Sequence, residues 1–416
     1  MQVDLSAFRS DCRCGRPHPI SLRAIRIARG ALHTLPEMIA GLDRFDRIGL
    51  ICDQNTWAAA GETVARLVHP AAQVILDPAG LHADEAAVAA AEAPVAGYDL
   101  LLAVGSGTVH DITRYIGHAH GIPFVAVPTA PSVDGFVSTV AAMTWGGCKK
   151  TFPSTPPIAL CADSDVFARC PRRLIGAGVG DLLGKYTALL DWRAAHLLTG
   201  EYICDTIIGV EEEAVALVRA QLPQIAAGDP DAIERLMYGL VLSGLAMQGV
   251  GNSRPASGAE HHLSHLWEMD VLNPTLDAYH GEQVAVGAVL LCDEYRKILQ
   301  FDDPCAHLAP RTPIDPDALR AVFGDARLPG ILAENTPNPL DAVTDEALCA
   351  QWGALQALVR ALPTADELRA ALRDCGGVWA PEQIGLPASL MPDSLRLAPY
   401  VRARLTLLRI MKRLRF

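Results

Sequence analysis

Three histidines and a glutamate stand within six residues of one another in the stretch SGAEHHLSHLWEMD, which begins at Ser257. Imidazole nitrogens are good ligands for zinc, iron or nickel, so the first chemistry to consider is metal binding. One helix can aim two side chains at a single point when they sit three or four residues apart, which leaves His261 with His265 or His262 with His265. Periodicity alone does not separate these pairs. Glu260 precedes the histidines instead of following the first of them, so the H-E-x-x-H order of a metalloprotease is not met. Further donors must come from elsewhere, and Asp181 in IGAGVGDLLGKYTALLDW and His280 in DAYHGEQVAVGAVL are the candidates. One carboxylate and two imidazoles hold a divalent cation while leaving a position open for a substrate oxygen.

A second constellation lies in DLLLAVGSGTVHDI, where Gly105, Ser106, Gly107 and Thr108 stand at the passage from an apolar run to a helix-like segment. Glycines there let the backbone approach a diphosphate, and free amides at a helix start favour negative charge. The third glycine of G-x-G-x-x-G is replaced by His110, so a strict dinucleotide fingerprint is not met. Asp111, in the first turn, reads as a dipole or capping residue. Asp53, ending RIGLICD, could accept hydrogen bonds from a ribose, and VAVPTAPSVDGF offers Thr129, Ser132 and Asp134 beyond another strand end.

These residues need a scaffold. From about Phe45 the runs RIGLIC, AAQVILD, DLLLAVGSG, PFVAVPTA and PPIALCAD alternate with longer helix-like segments. Short runs that are apolar throughout predict parallel strands covered on both faces, an α/β domain of the doubly wound, Rossmann-like kind. VSTVAAMTWGGCKKTF predicts a hairpin with Gly146 and Gly147 at its turn. After about Pro171 apolar residues recur at helical spacing and strand runs disappear. The expected division is an α/β nucleotide-binding domain over residues 1–170 and a helical domain over 171–416 that binds metal and substrate, with the active site in the cleft between them.

The chain of 416 residues is half hydrophobic and carries a formal net charge of -12, so its surface disfavours nucleic acid or an anionic membrane as a partner. No apolar run reaches the length of a membrane span or a signal-peptide core, and eleven scattered cysteines suit reduced thiols, which together predict a cytoplasmic protein. SDCRCGRPHPI places Cys12, Cys14 and His18 as a partial soft-metal set, but no fourth ligand is evident and structural or incidental use is expected.

Taken together, AVGSGTVHD, PTAPSVDGF, GVGDLLGKYTALLDW, SRPASGAEHHLSHLWEM and HGEQVAVG resemble the glycerol-1-phosphate dehydrogenase family, a branch of the iron-containing alcohol dehydrogenases. The likeness runs through nearly the whole chain, including the closing helix-like YVRARLTLLRIMKRL. It implies metal ligands at Asp181, His261 and His280, cofactor contacts at the glycine turn and at Thr129 and Ser132, and catalytic roles for His265 and Asp134. His262 has no ligand role by this comparison. The implied reaction is reversible NAD(P)H-dependent reduction of dihydroxyacetone phosphate to sn-glycerol 1-phosphate, in phospholipid metabolism. A metal in that site polarises the ketone. Zinc is the favoured cation, with nickel or iron next, and Asp53 facing a ribose would disfavour NADP. A phosphorylated substrate needs cations, for which Lys185 and Arg254 are the candidates and Lys149 and Lys150 the weaker ones. A homodimer is the expected assembly. The competing readings are a glycerol dehydrogenase, a sugar-phosphate cyclase resembling 3-dehydroquinate synthase, and a non-catalytic sensor on the same fold.

Overall fold

Apolar runs of five or six residues can bury both faces only when helices cover them, and in the computed structural model they form one six-stranded parallel sheet. The structure describes residues 3, 8, 12–146, 148–272 and 276–416, with the side chains of 148 and 149 left aside. The strands are β1 (Ala24–Ala28), β2 (Ile48–Asp53), β3 (Ala72–Leu76), β4 (Leu100–Gly105), β5 (Phe124–Pro128) and β8 (Ala159–Asp163), in the order β1-β8-β5-β4-β2-β3. All six residues of β4 and all five of β5 are buried, as central strands require. β1 escapes the sequence reading because AIRIA alternates isoleucine with arginine at a sheet edge, so it shows no unbroken apolar run. Register pairs Gly105 with Pro128, which brings the glycine turn and the loop after β5 to the same carboxyl edge.

The predicted hairpin forms from β6 (Val140–Trp145) and β7 (Cys148–Pro153), paired antiparallel. Gly146 takes the left-handed conformation at its turn, with φ 61°, and Gly147 lies outside the described residues. Tyr115, on helix α1 (Gly107–His120), packs against Trp145 and Phe152 with ring centroids 5.1 and 5.5 Å away, which fastens the hairpin to the sheet's covering helix.

After β8 the chain is helical: α2 (Arg172–Leu183), α3 (Lys185–Thr199), α4 (Asp205–Arg219), α5 (Pro230–Val250), α6 (Ala259–Trp267) and α7 (His280–Tyr295) carry most of the interior. Two glycines set how closely these bodies meet. A Cβ on Gly178 of α2 would stand 1.8 Å from the Pro131 carbonyl oxygen, and one on Gly281 of α7 would stand 2.0 Å from that of Ala177. Any side chain at either place would push α2 away from the β5 loop or α7 away from α2. The closing segment departs from expectation. Instead of one helix from Tyr400, residues Val401–Thr406 run as bends and extended chain before the single turn of α8 (Leu407–Ile410). Cys305 and Cys349, whose Cα atoms are 5.8 Å apart, are joined as a disulfide, so the thiols are not all free as expected. Among the described residues no helix is long and apolar enough to cross a membrane.

Candidate active site

The carboxyl edge of the sheet faces the starts of α6 and α7, and there Asp181, His261 and His280 converge. One donor atom from each lies within 4.8 Å of the others, drawn from three different helices. Asp181 is fully buried, in the last turn of α2. His261 stands in the first turn of α6, and its Nδ1 lies 2.8 Å from Oε1 of the buried Glu260. That contact fixes a proton on Nδ1 and turns Nε2 toward Asp181, whose Oδ1 is 3.9 Å away. Burial, with Lys185 nearby, holds the His261 imidazole well below its usual range, so it is neutral and its lone pair is free for a metal. His280 opens α7, with Nδ1 3.3 Å from Ser264 Oγ and 3.4 Å from Glu268 Oε1. Glu260 is itself held, since its Oε2 accepts from Thr187 Oγ1 at 2.6 Å and its Oε1 from the Gly258 amide. The start of α6 is moored by Asp191, which accepts from the amides of Ala259 at 2.8 Å and Leu407 at 2.7 Å and from Tyr295 OH at 2.8 Å. Burial, reinforced by Glu260, lifts the Asp191 carboxyl to about 7.

Lys185 does not present itself to a substrate. It is wholly buried, and its Nζ bridges Asp134 Oδ2 at 2.8 Å and Asp181 Oδ1 at 2.9 Å. Burial opposes its charge, but Asp134, Asp181 and Glu211 outweigh that and keep it protonated. The reason is spacing: four residues on a helix put Lys185 beside Asp181, and the pair screens two carboxylates that would otherwise repel. Ser243 Oγ, on α5, contacts both Asp134 Oδ2 and Glu211 Oε1, at 2.9 and 3.1 Å. Glu211 is pushed up to about 8 by burial, against the pull of Lys185, and so carries a proton at neutral pH. The loop that presents Asp134 is organised by Arg114 of α1. This fully buried residue donates to the carbonyls of Gly135, Phe136 and Val140 at 2.6, 3.0 and 3.2 Å and pairs with Asp111. Its importance is not legible from local pattern.

His261 and His280 open onto a cavity of about 300 Å³ that also touches Ser106, Gly107, Thr108, Asp111, Ser132, Asp134 and His265, while the buried Asp181 stands outside its wall. Ser106 caps α1 without using its side chain, so the amides at the helix start remain directed at the cavity. Gly105 is needed because a Cβ would meet the Val109 side chain at 2.6 Å. His265 is buried, with Nδ1 3.6 Å from Glu268 Oε2, and burial lowers it to about 4. Three expected residues stand elsewhere. Thr129 is buried at the end of β5, with its amide on the Gly105 carbonyl, and does not line the cavity. Asp53 caps the helix after β2, its Oδ1 accepting from the Thr56 amide at 2.8 Å. Arg254 lines a separate pocket, bonded to Glu201 at 2.7 Å and to the carbonyls of Asp191 and Leu405. His262 is buried behind α6 and is absent from the cavity wall.

The cations of the cavity are Arg402 and Arg404, in the non-helical stretch near the carboxyl end. Arg402 donates to Thr151 of the hairpin, and Arg404 to the Ser257 carbonyl and, at 3.0 Å, to Ser253 Oγ. Among the described residues neither has a carboxylate within salt-bridge distance, and burial lowers Arg404 to about 9. Two guanidiniums with no carboxylate in direct contact, although Glu268 shares the cavity and Glu334, Glu201 and Glu260 act on them from farther off, form a wall that can take an anion.

Comparison with known proteins places this geometry. The sequence model of the iron-containing alcohol dehydrogenases matches residues 26–171. A Geobacillus stearothermophilus protein named glycerol-1-phosphate dehydrogenase [NAD(P)+] is 33% identical over 417 aligned positions, covering 97% of this chain and 96% of that one. The chain belongs to the glycerol-1-phosphate dehydrogenase family. A second member of the family, from Bacillus licheniformis, is 39% identical over 301 positions, covering 69% of this chain and 74% of its own. The fold is also that of the iron-containing alcohol dehydrogenase from Corynebacterium glutamicum, with a TM-score of 0.61, 17% identity and 95% of each chain covered. The family's α/β sheet and helical part are thus both present here, on either side of the donor cluster.

Proposed function

We propose that the chain is an NAD(P)-dependent sn-glycerol-1-phosphate dehydrogenase that reversibly reduces dihydroxyacetone phosphate. The observation that carries this reading is a cavity lined by His261, His280, the helix start at Ser106 to Thr108 and two arginines, with the buried Asp181 offering a donor within 4.8 Å of those of both imidazoles. Asp181, His261 and His280 fit a divalent cation by donor type and by the neutral state of His261, with zinc the favoured ion and nickel or ferrous iron the alternatives. When bound, that cation supplies Lewis acidity toward a ketone oxygen, and the nicotinamide cofactor supplies the hydride.

The chain's own residues do the remainder. The amides at Ser106, Gly107 and Thr108 bind the cofactor diphosphate, and Ser132 orients the cofactor's reactive end. Asp134, paired with Lys185 Nζ, accepts a substrate hydroxyl. Arg402 and Arg404 bind the phosphate, the role expected of Lys185 and Arg254. His265 is neutral at pH 7, so it passes a proton toward the product oxygen as a hydrogen-bonded imidazole and not as a standing imidazolium.

The test is NADH and NADPH oxidation with dihydroxyacetone phosphate, using metal-stripped protein given back zinc, nickel or iron in turn. Turnover that depends on the cation and on the substrate's phosphate is expected. Equal or better use of unphosphorylated dihydroxyacetone would instead identify a glycerol dehydrogenase. Phosphate release from a heptulosonate without net NADH consumption would identify a cyclase.

A further inference from the structure

We propose that Cys12, Cys14, His18 and Cys204 form a second metal site, of structural type, that takes zinc or a comparably soft divalent cation. Sequence spacing supplies three of these donors and no fourth. The fold supplies Cys204, which stands immediately before α4. One donor atom from each of the four lies within 4.8 Å of the others. Cys12 Sγ and Cys204 Sγ are 3.6 Å apart, while His18 Nε2 lies 3.3 Å from Cys14 Sγ and 3.2 Å from Cys204 Sγ. A tetrahedron with zinc–sulfur bonds of about 2.3 Å and zinc–nitrogen bonds of about 2.0–2.1 Å has sulfur–sulfur edges of about 3.8 Å and sulfur–nitrogen edges of about 3.5 Å. The observed separations are within a few tenths of an ångström of those edges. They are far from the ~2.05 Å of a disulfide.

The surroundings are those of a ligand set. His18 Nδ1 is 2.8 Å from the Gly249 carbonyl, which fixes the proton there and leaves Nε2 as the donor. Tyr202 OH, 3.1 Å from Cys14 Sγ, and Thr206 Oγ1, 3.2 Å from Cys12 Sγ, are hydroxyls able to donate to thiolates. The Arg16 guanidinium lies 3.8 Å above the Tyr202 ring, adding positive charge beside three sulfurs. His18 and Cys204 are buried while Cys12 and Cys14 are partly exposed, so a cation has both a dry anchor and a way in.

None of the four lines the catalytic cavity, and the proposal stands independently of the activity. The position suggests what such a cation would do. It would tie the segment before β1 to the start of α4 and, through His18, to the end of α5. Ser21, just before β1, donates its amide to Gln248 Oε1 of α5 at 2.8 Å, and Gln248 Nε2 reaches the Val137 carbonyl at 2.6 Å. α5 also carries Ser243, which contacts Asp134. A cation here would therefore clamp the sheet's leading edge onto the helix that steadies the catalytic loop.

The test is metal analysis of the full-length protein saturated with zinc and then desalted. We expect about two equivalents in the unmutated enzyme and about one in each of His261→Ala and Cys14→Ser. Cobalt(II) in place of zinc should give thiolate-to-metal charge-transfer absorption in the near ultraviolet. Those bands should persist in His261→Ala and vanish in Cys14→Ser and Cys204→Ser. Cys14→Ser should keep its kcat while its thermal midpoint falls. If Cys204→Ser does not fold, the cobalt spectrum of the unmutated enzyme and the partly exposed Cys14→Ser still decide. Metal content in the unmutated protein no greater than in Cys14→Ser, no sulfur–cobalt absorption, or a Cys12–Cys204 disulfide under reducing conditions would each overturn the proposal.

Discussion

Replacing Arg404 by methionine tests the anion wall, because activity and stability should move in opposite directions. Arg404 gives up two protein contacts, to the Ser257 carbonyl and to Ser253 Oγ, and burial lowers its guanidinium from 12.5 to about 9. At pH 7 it is still about 99% charged, since about two pH units separate the two values. A group whose charged form is disfavoured in the folded state costs stability below its folded value, and that cost fades as pH rises through 9. At about 1.4 kcal/mol per unit, the penalty at pH 7 is on the order of 5 kcal/mol. The two lost hydrogen bonds return about 2–3 kcal/mol of that. Arg404→Met should therefore unfold at a higher temperature, by about 2–3 kcal/mol of added stability. Catalysis should fall. A charge-assisted hydrogen bond to phosphate is worth about 1.5–3 kcal/mol, so kcat/KM for dihydroxyacetone phosphate should drop about 10- to 150-fold. Initial rates with dihydroxyacetone phosphate and with dihydroxyacetone, run in parallel with thermal melts, give all three quantities. The same proportional loss for both substrates would refute the phosphate role, and a loss of several kcal/mol in stability would make Arg404 a structural residue.

Glu260→Gln keeps the shape of the side chain that holds His261 Nδ1 and removes its charge. Metal affinity measured by chelator competition should weaken about 10- to 100-fold, and an unchanged affinity would remove Glu260 from that role. Glu211 has its folded value raised to about 8, so its stabilising contribution is complete below about 4.3 and is lost as pH rises through 8. Glu211→Gln, read by thermal midpoint, should gain on the unmutated protein progressively from pH 5 to 8, and parallel curves would show that Glu211 is ionised throughout. Asp53→Ser preserves a helix-capping oxygen while deleting a carboxylate at the end of β2. Because Asp53 caps that helix and stands outside the cavity wall, the ratio of kcat/KM for NADPH to that for NADH should stay constant, and a rise of about tenfold would place Asp53 beside the ribose after all.

The sheet is legible wherever burial is two-sided, which is why the runs behind β2, β4, β5 and β8 read directly; of the two edge strands, β3 reads from its apolar composition although Gln73 and Ile75 are exposed, while β1 does not. The three converging donors are each visible as residue types, but nothing local says that Asp181, His261 and His280 meet. That depends on Gly178 and Gly281, whose missing side chains let α2 approach the β5 loop and α7 approach α2. Lys185 was readable in principle, because an Asp and a Lys four residues apart on a helix pair with each other before they serve a ligand. Arg402 and Arg404 were hidden by the apparent helicity of YVRARLTLL. Residues two apart point away from each other on a helix, whereas here the chain turns tightly, the Arg404 amide donating to the Arg402 carbonyl at 2.8 Å, and both side chains line the cavity.

That break in the closing segment also orders events in time. Arg402 and Arg404 follow the parallel sheet and the donor helices in the chain, so a ribosome adds them after both. A nascent or prematurely ended chain thus carries the glycine turn and the three donors but lacks the cationic wall. On the proposed reading, recognition of a phosphorylated substrate is acquired later than the sheet and the donor cluster. For the same reason chimaeras within the family should exchange the segment around Arg402 together with the hairpin, since Thr151 and Arg402 meet at the cavity from distant parts of the sequence.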